Sequence, residues 1–384
     1  MAMSRIGGFV FFFVFALSFI GGLHYYFWVR LVRDTALPPP WRGVATAALW
    51  VLGLSMPLTM VLWRTHSYLG RRLAWPAFIW MGMLIILPMV LVGADLIRAA
   101  LHFGGGIDDP ERRLLFKRAL GAAAATVAAG LGALAIREGT REPKVHEVEV
   151  TLDKLPRALD GFTIVQLTDV HVGPTIGHDF LQDVVARTNE LQADVIAITG
   201  DLVDGSVAEL QRAIAPIAGL RAKKGVYFVT GNHEYYAGVD EWLAHLRTLD
   251  VRVLRNERVA LADGLDLAGI DDLSGKNVPG HGPDLPRALA GRDDKRALVL
   301  LAHQPRVITT AAAHGVGLQL SGHTHGGQIW PWNFAVYLQQ PFVAGLAKHK
   351  GTQIYVSRGT GYWGPPMRLG APSEITRIRL RAPA

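Results

Sequence analysis

Residues 162–171 read Phe-Thr-Ile-Val-Gln-Leu-Thr-Asp-Val-His. A short apolar run stops at a carboxylate and an imidazole two residues apart. Such runs, flanked by turn or polar residues, read as strands buried on both faces. The pattern recurs downstream: 194–200 precedes Asp201, 226–231 precedes Asn232 and His233, 297–302 precedes His303, and 317–322 precedes His323 and His325. Open α/β sheets bind ligands beyond the carboxyl ends of their strands, so the five runs predict one edge gathering carboxylate, carboxamide and imidazole groups. A lone Asp-x-His or Gly-Asp would only suggest a loop-shaping turn; five clusters in order point to a site.

The chain has 384 residues and no cysteine, which excludes disulfides, thiolate metal sites and cysteine nucleophiles. Any metal must sit on nitrogen and oxygen. Asp169, His171, Asp201, Asn232, His303, His323 and His325 are seven candidate ligands, more than the three protein groups a single catalytic zinc uses. Two ions sharing a carboxylate fit better, and the donor set suits Mn, Fe or Zn.

Half of the residues are hydrophobic and the mean hydropathy is +0.23, which directs attention to membrane spans. Four apolar stretches, 6–29, 44–63, 75–96 and 120–136, precede the strand pattern. The first three are expected to span, with Tyr25, Tyr26, Trp28, Trp41, Trp63 and Trp75 at their ends; the fourth is weaker and rich in small residues. The expected division is a membrane region over 1–144, with about four transmembrane helices, and a catalytic domain over 145–384. Residues 1–144 carry 15 Lys+Arg and 7 Asp+Glu, and the rest carries 24 and 25, so the net charge of +7 belongs to membrane flanks. A nucleic-acid partner is not expected. Positive charge is nearly tied between the two sides of the membrane. Arg112-Arg113-Leu114-Leu115-Phe116-Lys117, which resembles a twin-arginine export signal or is a plain basic flank, tips the expectation toward a catalytic domain outside the cytoplasm. Localisation is expected as a multi-pass protein of the plasma (inner) membrane.

Asp-Val-His, Gly-Asp-Leu-Val-Asp, Gly-Asn-His-Glu, His-Gln-Pro and Gly-His-Thr-His-Gly-Gly, in this order, resemble the calcineurin-like metallophosphoesterases. The tail from Gly359 through Trp363, Arg368 and Glu374 resembles the membrane-anchored, exported branch of that family. The resemblance implies a four-layer α-β-β-α sandwich. It also implies one metal on Asp169, His171 and His325, a second on Asn232, His303 and His323, and Asp201 bridging them. His233 would serve as general acid or hydrogen-bond donor beside the leaving oxygen, with water attacking phosphorus in line. Asp204 and Glu234 read either as groups orienting a ligand or as solvated loop carboxylates, and Glu374 is more remote.

The other nine histidines are expected at surfaces or in packing, and Asp95 near headgroups. Residues 328–338, Gln-Ile-Trp-Pro-Trp-Asn-Phe-Ala-Val-Tyr-Leu, read equally as an exposed lip that touches a bilayer or as ordinary packing under a loop; Tyr362 and Trp363 are candidates to join it. The leading expectation is hydrolysis of a phosphodiester, phosphomonoester or pyrophosphate on a lipid, envelope-derived or other phosphorylated small-molecule substrate, with the lipid bilayer itself as a partner. The alternatives are a UDP-2,3-diacylglucosamine pyrophosphatase-like hydrolase, a membrane sensor of phosphorylated ligands, and a nuclease, the last disfavoured by the neutral domain.

Overall fold

A computed structural model describes residues 2–64 and 68–384, without the side chains of 2–6, 8–13, 16, 60, 61, 63, 64, 68, 69 and 71. The chain forms two compact units, Met1–Ile136 and Arg137–Ala384.

All four apolar stretches are helical: α1 (Ala2–Trp28), α2 (Trp41–Arg64), α3 (Tyr68–Phe103) and α4 (Pro110–Thr140). Among the described residues only Arg72–Phe103 and Pro110–Thr140 are long and apolar enough to cross a membrane. This corrects the expectation of about four spans. Much of α1 and the end of α2 lie outside the described side chains. The stretch that looked weakest qualifies because residues 119–136 of α4 carry no charge. With 36 residues, α3 is about 54 Å long, well beyond a hydrocarbon core of about 30 Å. Asp95 is paired: Tyr26 Oη donates to it at 2.7 Å and Arg30 Nε at 3.1 Å, and Arg98 Nη1 lies 3.1 Å away. Arg30 also donates to Asp34 at 2.9 Å. This knot neutralises the acid, as apolar surroundings demand of a carboxylate.

The second unit is built on two six-stranded sheets. Its strands are β1 (Lys144–Thr151), β2 (Thr163–Leu167), β3 (Val195–Ile198), β4 (Val226–Phe228), β5 (Arg252–Val253), β6 (Glu257–Ala262), β7 (Leu265–Gly269), β8 (Ala297–Leu301), β9 (Leu318–Ser321), β10 (Gly345–His349), β11 (Thr352–Val356) and β12 (Glu374–Arg381). The first sheet has the order β1-β12-β2-β3-β4-β5, with β2 to β5 mutually parallel. The second has the order β10-β11-β9-β8-β7-β6, with β7, β8, β9 and β11 parallel.

Parallel strands buried on both faces need apolar side chains throughout, and β2, β3, β4, β8 and β9 are buried at every position. Ile164, Val195 and Val229 meet Leu267, Val299 and Leu320 between the sheets. On the outer face of the first sheet, Val165, Ile196 and Ile198 pack with Leu181 of α5 (His178–Glu190), Leu210 of α6 (Val207–Ile214) and Trp242. Ile308 and Ala311 pack with Leu298, Leu300 and Ile354 on the outer face of the second. Fully burying one such Leu or Ile stabilises by about 1.5–3 kcal/mol, so this layered core fixes both sheets rigidly behind their shared edge.

Candidate metal centre

The five strand ends meet. β2 delivers Asp169 and His171, β3 delivers Asp201, β4 leads into Asn232 and His233 at the start of α7 (Asn232–Ala237), β8 delivers His303, and β9 delivers His323 and His325. In one donor group, His171 Nε2 lies 3.0 Å and Asp169 Oδ1 3.5 Å from His325 Nε2. In the other, His303 Nε2 lies 3.2 Å from Asn232 Oδ1 and 3.2 Å from His323 Nδ1. Asp201 Oδ2 stands between them, 3.1 Å from His303 Nε2 and 3.8 Å from His171 Nε2. All seven candidate ligands are thus brought together around one carboxylate oxygen.

Local sequence explains how so many donors crowd one edge. Asp169, His171, Asp201, His323 and His325 all have positive φ, between 50° and 72°, a conformation that costs of order 1–3 kcal/mol each at non-glycine residues. Hydrogen bonds hold them there. Glu234, fully buried, accepts from the amides of Gly231 at 2.7 Å, Leu202 at 2.8 Å and Asp201 at 3.1 Å. Asp169 accepts from the His323 amide at 2.8 Å, and Asp201 Oδ1 accepts from the His233 amide at 2.9 Å, which leaves Oδ2 facing the cluster. A methyl group on Gly322 would come within 2.0 Å of Asp169 Oδ2, and one on Gly231 within 2.2 Å of Asp201 Oδ1; the carboxylates occupy the space that glycine leaves.

Tautomers follow from the outer partners. His303 Nδ1 must donate to the Thr199 carbonyl at 2.8 Å, and His171 Nδ1 donates to Asp204 at 2.8 Å, so in their neutral forms both turn an Nε2 lone pair inward. Burial pulls the pKa of both imidazoles down, but Asp201 and Asp169 outweigh it at His303, raising it well above its ordinary value, and Asp204 and Asp201 raise His171 to about 9. Burial, then the charge of His303, lowers His323 to about 3; burial, then His171 and Arg368, holds His325 well below its ordinary value. Burial would raise Asp201, but His303 and the other histidines hold it well below the usual carboxylate range. Inward lone pairs, a carboxylate common to both groups, and only nitrogen and oxygen donors fit two hard or borderline divalent cations.

Three residues acquire roles that sequence reasoning left open or unassigned. Asp204 Oδ1 accepts from His171 Nδ1 and, at 2.7 Å, from His233 Nδ1, so one carboxylate orients both imidazoles. Glu234 is the buried acceptor described above; burial and the charge of Asp201 push its pKa up to about 7. Arg368 is fully buried behind His325, donating to the carbonyls of Ala371 at 2.7 Å, Arg358 at 2.8 Å and Gly361 at 3.1 Å, and to His325 O at 3.3 Å. Burial lowers it to about 10, so it stays charged at neutral pH. Glu374, buried, binds Tyr355 Oη at 2.6 Å and Arg358 at 2.9 Å and supports the tail rather than the centre.

His233 stands at the margin, its Nε2 4.0 Å from Asp201 Oδ2, with its ring 5.3 Å from exposed Tyr236 and 5.6 Å from exposed Trp363. Tyr362, a candidate for the lip, is instead buried, its hydroxyl donating to Thr175 O at 3.0 Å. No other histidine among the described residues joins the cluster; His66 lies outside them.

Residues 162–327 match the family model described as calcineurin-like phosphoesterase. A transmembrane protein with metallophosphoesterase domain from Bos taurus is 36% identical over 397 aligned residues, covering 96% of this chain and 88% of that one. An uncharacterized metallophosphoesterase of Helicobacter pylori is 43% identical over 63% of this chain, which spans 65% of that relative's length. A dimetal phosphatase structure from Danio rerio is 15% identical over 52% of this chain and 88% of its own, with a TM-score of 0.35. The chain therefore belongs to the calcineurin-like phosphoesterase family and is a metal-dependent phosphoesterase.

Proposed function

We propose that the chain is a membrane-anchored enzyme that uses two divalent cations of the manganese, iron or zinc class to hydrolyse a phosphodiester, phosphomonoester or pyrophosphate bond on a lipid or envelope-derived substrate. The observation that carries this reading is Asp201 Oδ2, shared between two groups of inward-facing donors. Asp169, His171 and His325 would hold one cation, Asn232, His303 and His323 the other, and Asp201 would be shared by both. When bound, the cations supply positive charge against phosphoryl oxygens and make water a competent nucleophile near neutral pH.

The side chains do the rest. Asp204 takes the Nδ1 proton of His233 as a hydrogen bond, which leaves Nε2 aimed at the site, where its proton passes to the departing oxygen. Asp204 also stabilises the charged imidazole before that transfer. Tyr236 and Trp363 flank His233 and wall the leaving-group side with apolar surface.

Residues 1–144 serve as the anchor and 145–384 as the catalytic domain; the run Arg112–Lys117, read as an export signal rather than a plain basic flank, favours a domain outside the cytoplasm. The two apolar helices and the Bos taurus relative support anchoring. The near-neutral charge of the catalytic part argues against a nucleic-acid substrate.

Full-length protein in detergent, stripped of metal and reloaded with Mn²⁺ or Zn²⁺, tests this against bis(p-nitrophenyl) phosphate, p-nitrophenyl phosphate and a lipid pyrophosphate. Cleavage that vanishes on stripping and returns on reloading supports it and ranks the three bonds. Folded, metal-loaded protein that cleaves none of them sinks it.

A further inference from the structure

The segment that leaves the metal loop exposes its apolar side chains. Nine large apolar residues are exposed in Arg137–Ala384, and five of them, Trp330, Trp332, Phe334, Tyr337 and Leu338, lie within nine positions; Leu338 is 87% exposed. Apart from His323 and His325 of the metal loop, no acidic or basic residue falls between Ser321 and Lys348. An exposed, charge-free stretch of this composition resembles the Trp and Tyr belts of membrane interfaces more than an ordinary soluble loop.

Its base is fixed. Ile329, Gln340 and Val343 are buried. The Trp330 amide donates to Leu369 O at 2.9 Å, Gln340 accepts from the Arg306 amide at 3.1 Å, and Thr324 Oγ1 donates to Val343 O at 2.6 Å. The Gln328 side chain donates to Trp363 O and accepts from Trp363 N, both at 3.0 Å, tying the segment to the loop beside His233. Asn333 packs so closely on the metal loop that a methyl on Gly327 would meet it at 2.4 Å. The base is held to the fold while the rings at its crest stay exposed.

The chain supplies the surface for them. Only residues 141–143 separate α4 from β1, so a bilayer containing α4 keeps the start of the catalytic unit within about 14 Å of the end of that helix.

We propose that residues 330–338 form a docking lip that seats in the headgroup and acyl boundary of the bilayer and presents the metal centre to phosphoesters of membrane lipids. The substrate half of this proposal rests on the phosphoesterase reading; the docking half does not.

The absence of cysteine permits single labelling sites in the full-length protein. Phe334→Cys, Leu338→Cys and Lys295→Cys, the last in the loop before β8 on the sheet edge opposite the metal centre, are each labelled with an environment-sensitive fluorophore in nanodiscs containing nitroxide-labelled phosphatidylcholine. Labels at 334 and 338 are expected to be quenched by the lipid nitroxide at least about threefold more than the label at 295, and to resist aqueous iodide. Equal behaviour at all three sites overturns the proposal. So does shielding from iodide without lipid quenching, which means that protein covers the segment. In a second arm, Trp332→Glu with Leu338→Glu should lower cleavage of a vesicle-borne phospholipid by at least about tenfold while bis(p-nitrophenyl) phosphate cleavage changes less than about twofold. Equal losses on both substrates overturn docking in favour of a role in the catalytic fold. Wild-type protein that cleaves neither substrate defeats the phosphoesterase reading alone, because lipid quenching still reports on the lip.

Discussion

Asp201 and Asp266 are both buried carboxylates in the second unit, and they are treated in opposite ways. Asp266, on β7, is held by Arg258 at 3.1 Å and Arg296 at 2.9 Å, two guanidinium groups on fixed stems. Asp201, on the functional edge, has no Lys or Arg bound to it among the described residues; imidazoles surround it, two of them turning lone pairs inward when neutral. A buried carboxylate with a permanent counter-charge is part of the frame. One whose neighbours can give up their protons is built for exchangeable cations. The two can be separated by substitution, because the first should act on folding and the second on chemistry.

The largest effect is expected on stability. Asp266→Ala leaves two guanidinium groups without their carboxylate; breaking a buried pair costs about 3–5 kcal/mol, and because both arginines reach some solvent we expect the lower end. Chemical denaturation would show it, with turnover per folded molecule unchanged. Loss of turnover without loss of stability would erase the distinction.

Asp201→Asn and His233→Ala should each lower turnover by at least about a hundredfold in protein whose unfolding midpoint barely moves, and Asp201→Asn should also reduce bound metal. Unchanged turnover in either variant contradicts the assigned roles.

A smaller effect, about 10- to 100-fold on metal affinity or turnover, is expected for Asp204→Asn, which weakens the hold on His171 and His233 together. Metal titration by calorimetry and steady-state kinetics would measure it. Wild-type values in both would return Asp204 to the status of a solvated loop residue.

The smallest is a framework charge. Burial alone would raise the Asp194 carboxyl, but Lys223 and the Thr163 amide and hydroxyl outweigh it and hold the group below its ordinary value. A carboxyl depressed in the folded state contributes stability that is complete above the unfolded pKa, near 3.9, and is lost as pH falls through the folded value. Asp194→Asn should thus flatten the acid limb of the melting curve below about pH 5 and leave activity at neutral pH alone. An unchanged acid limb would show that the pair is too solvated to matter.

The strands that carry the ligands were legible because burial on both faces leaves an uninterrupted apolar run: the runs before Asp169, Asp201, Asn232, His303 and His323 became β2, β3, β4, β8 and β9. Edge strands such as β1 and β10 alternate or carry charge and gave no comparable signal. Asp204 could not be assigned because its partner His171 lies 33 positions away and only the fold joins them. Glu234 read from sequence either as a ligand-orienting group or as a solvated loop carboxylate, and only the three amides converging on it decide between them. Positive φ at five ligands leaves only a faint trace in residue type, since Asp and His are merely more tolerant of it than other non-glycine residues. The exposed segment was visible as a charge-free aromatic run, but whether it packed or projected depended on hydrogen bonds at its base.

The most direct test of the central claim is the number of Mn²⁺ or Zn²⁺ ions bound per chain, measured by elemental analysis of reloaded full-length protein alongside its phosphodiester cleavage. Two ions in the wild type, with metal and cleavage falling together in Asp201→Asn, is the predicted result. Full cleavage with one ion or none, or an Asp201→Asn protein that keeps both ions and full turnover, would contradict a centre organised on that shared carboxylate.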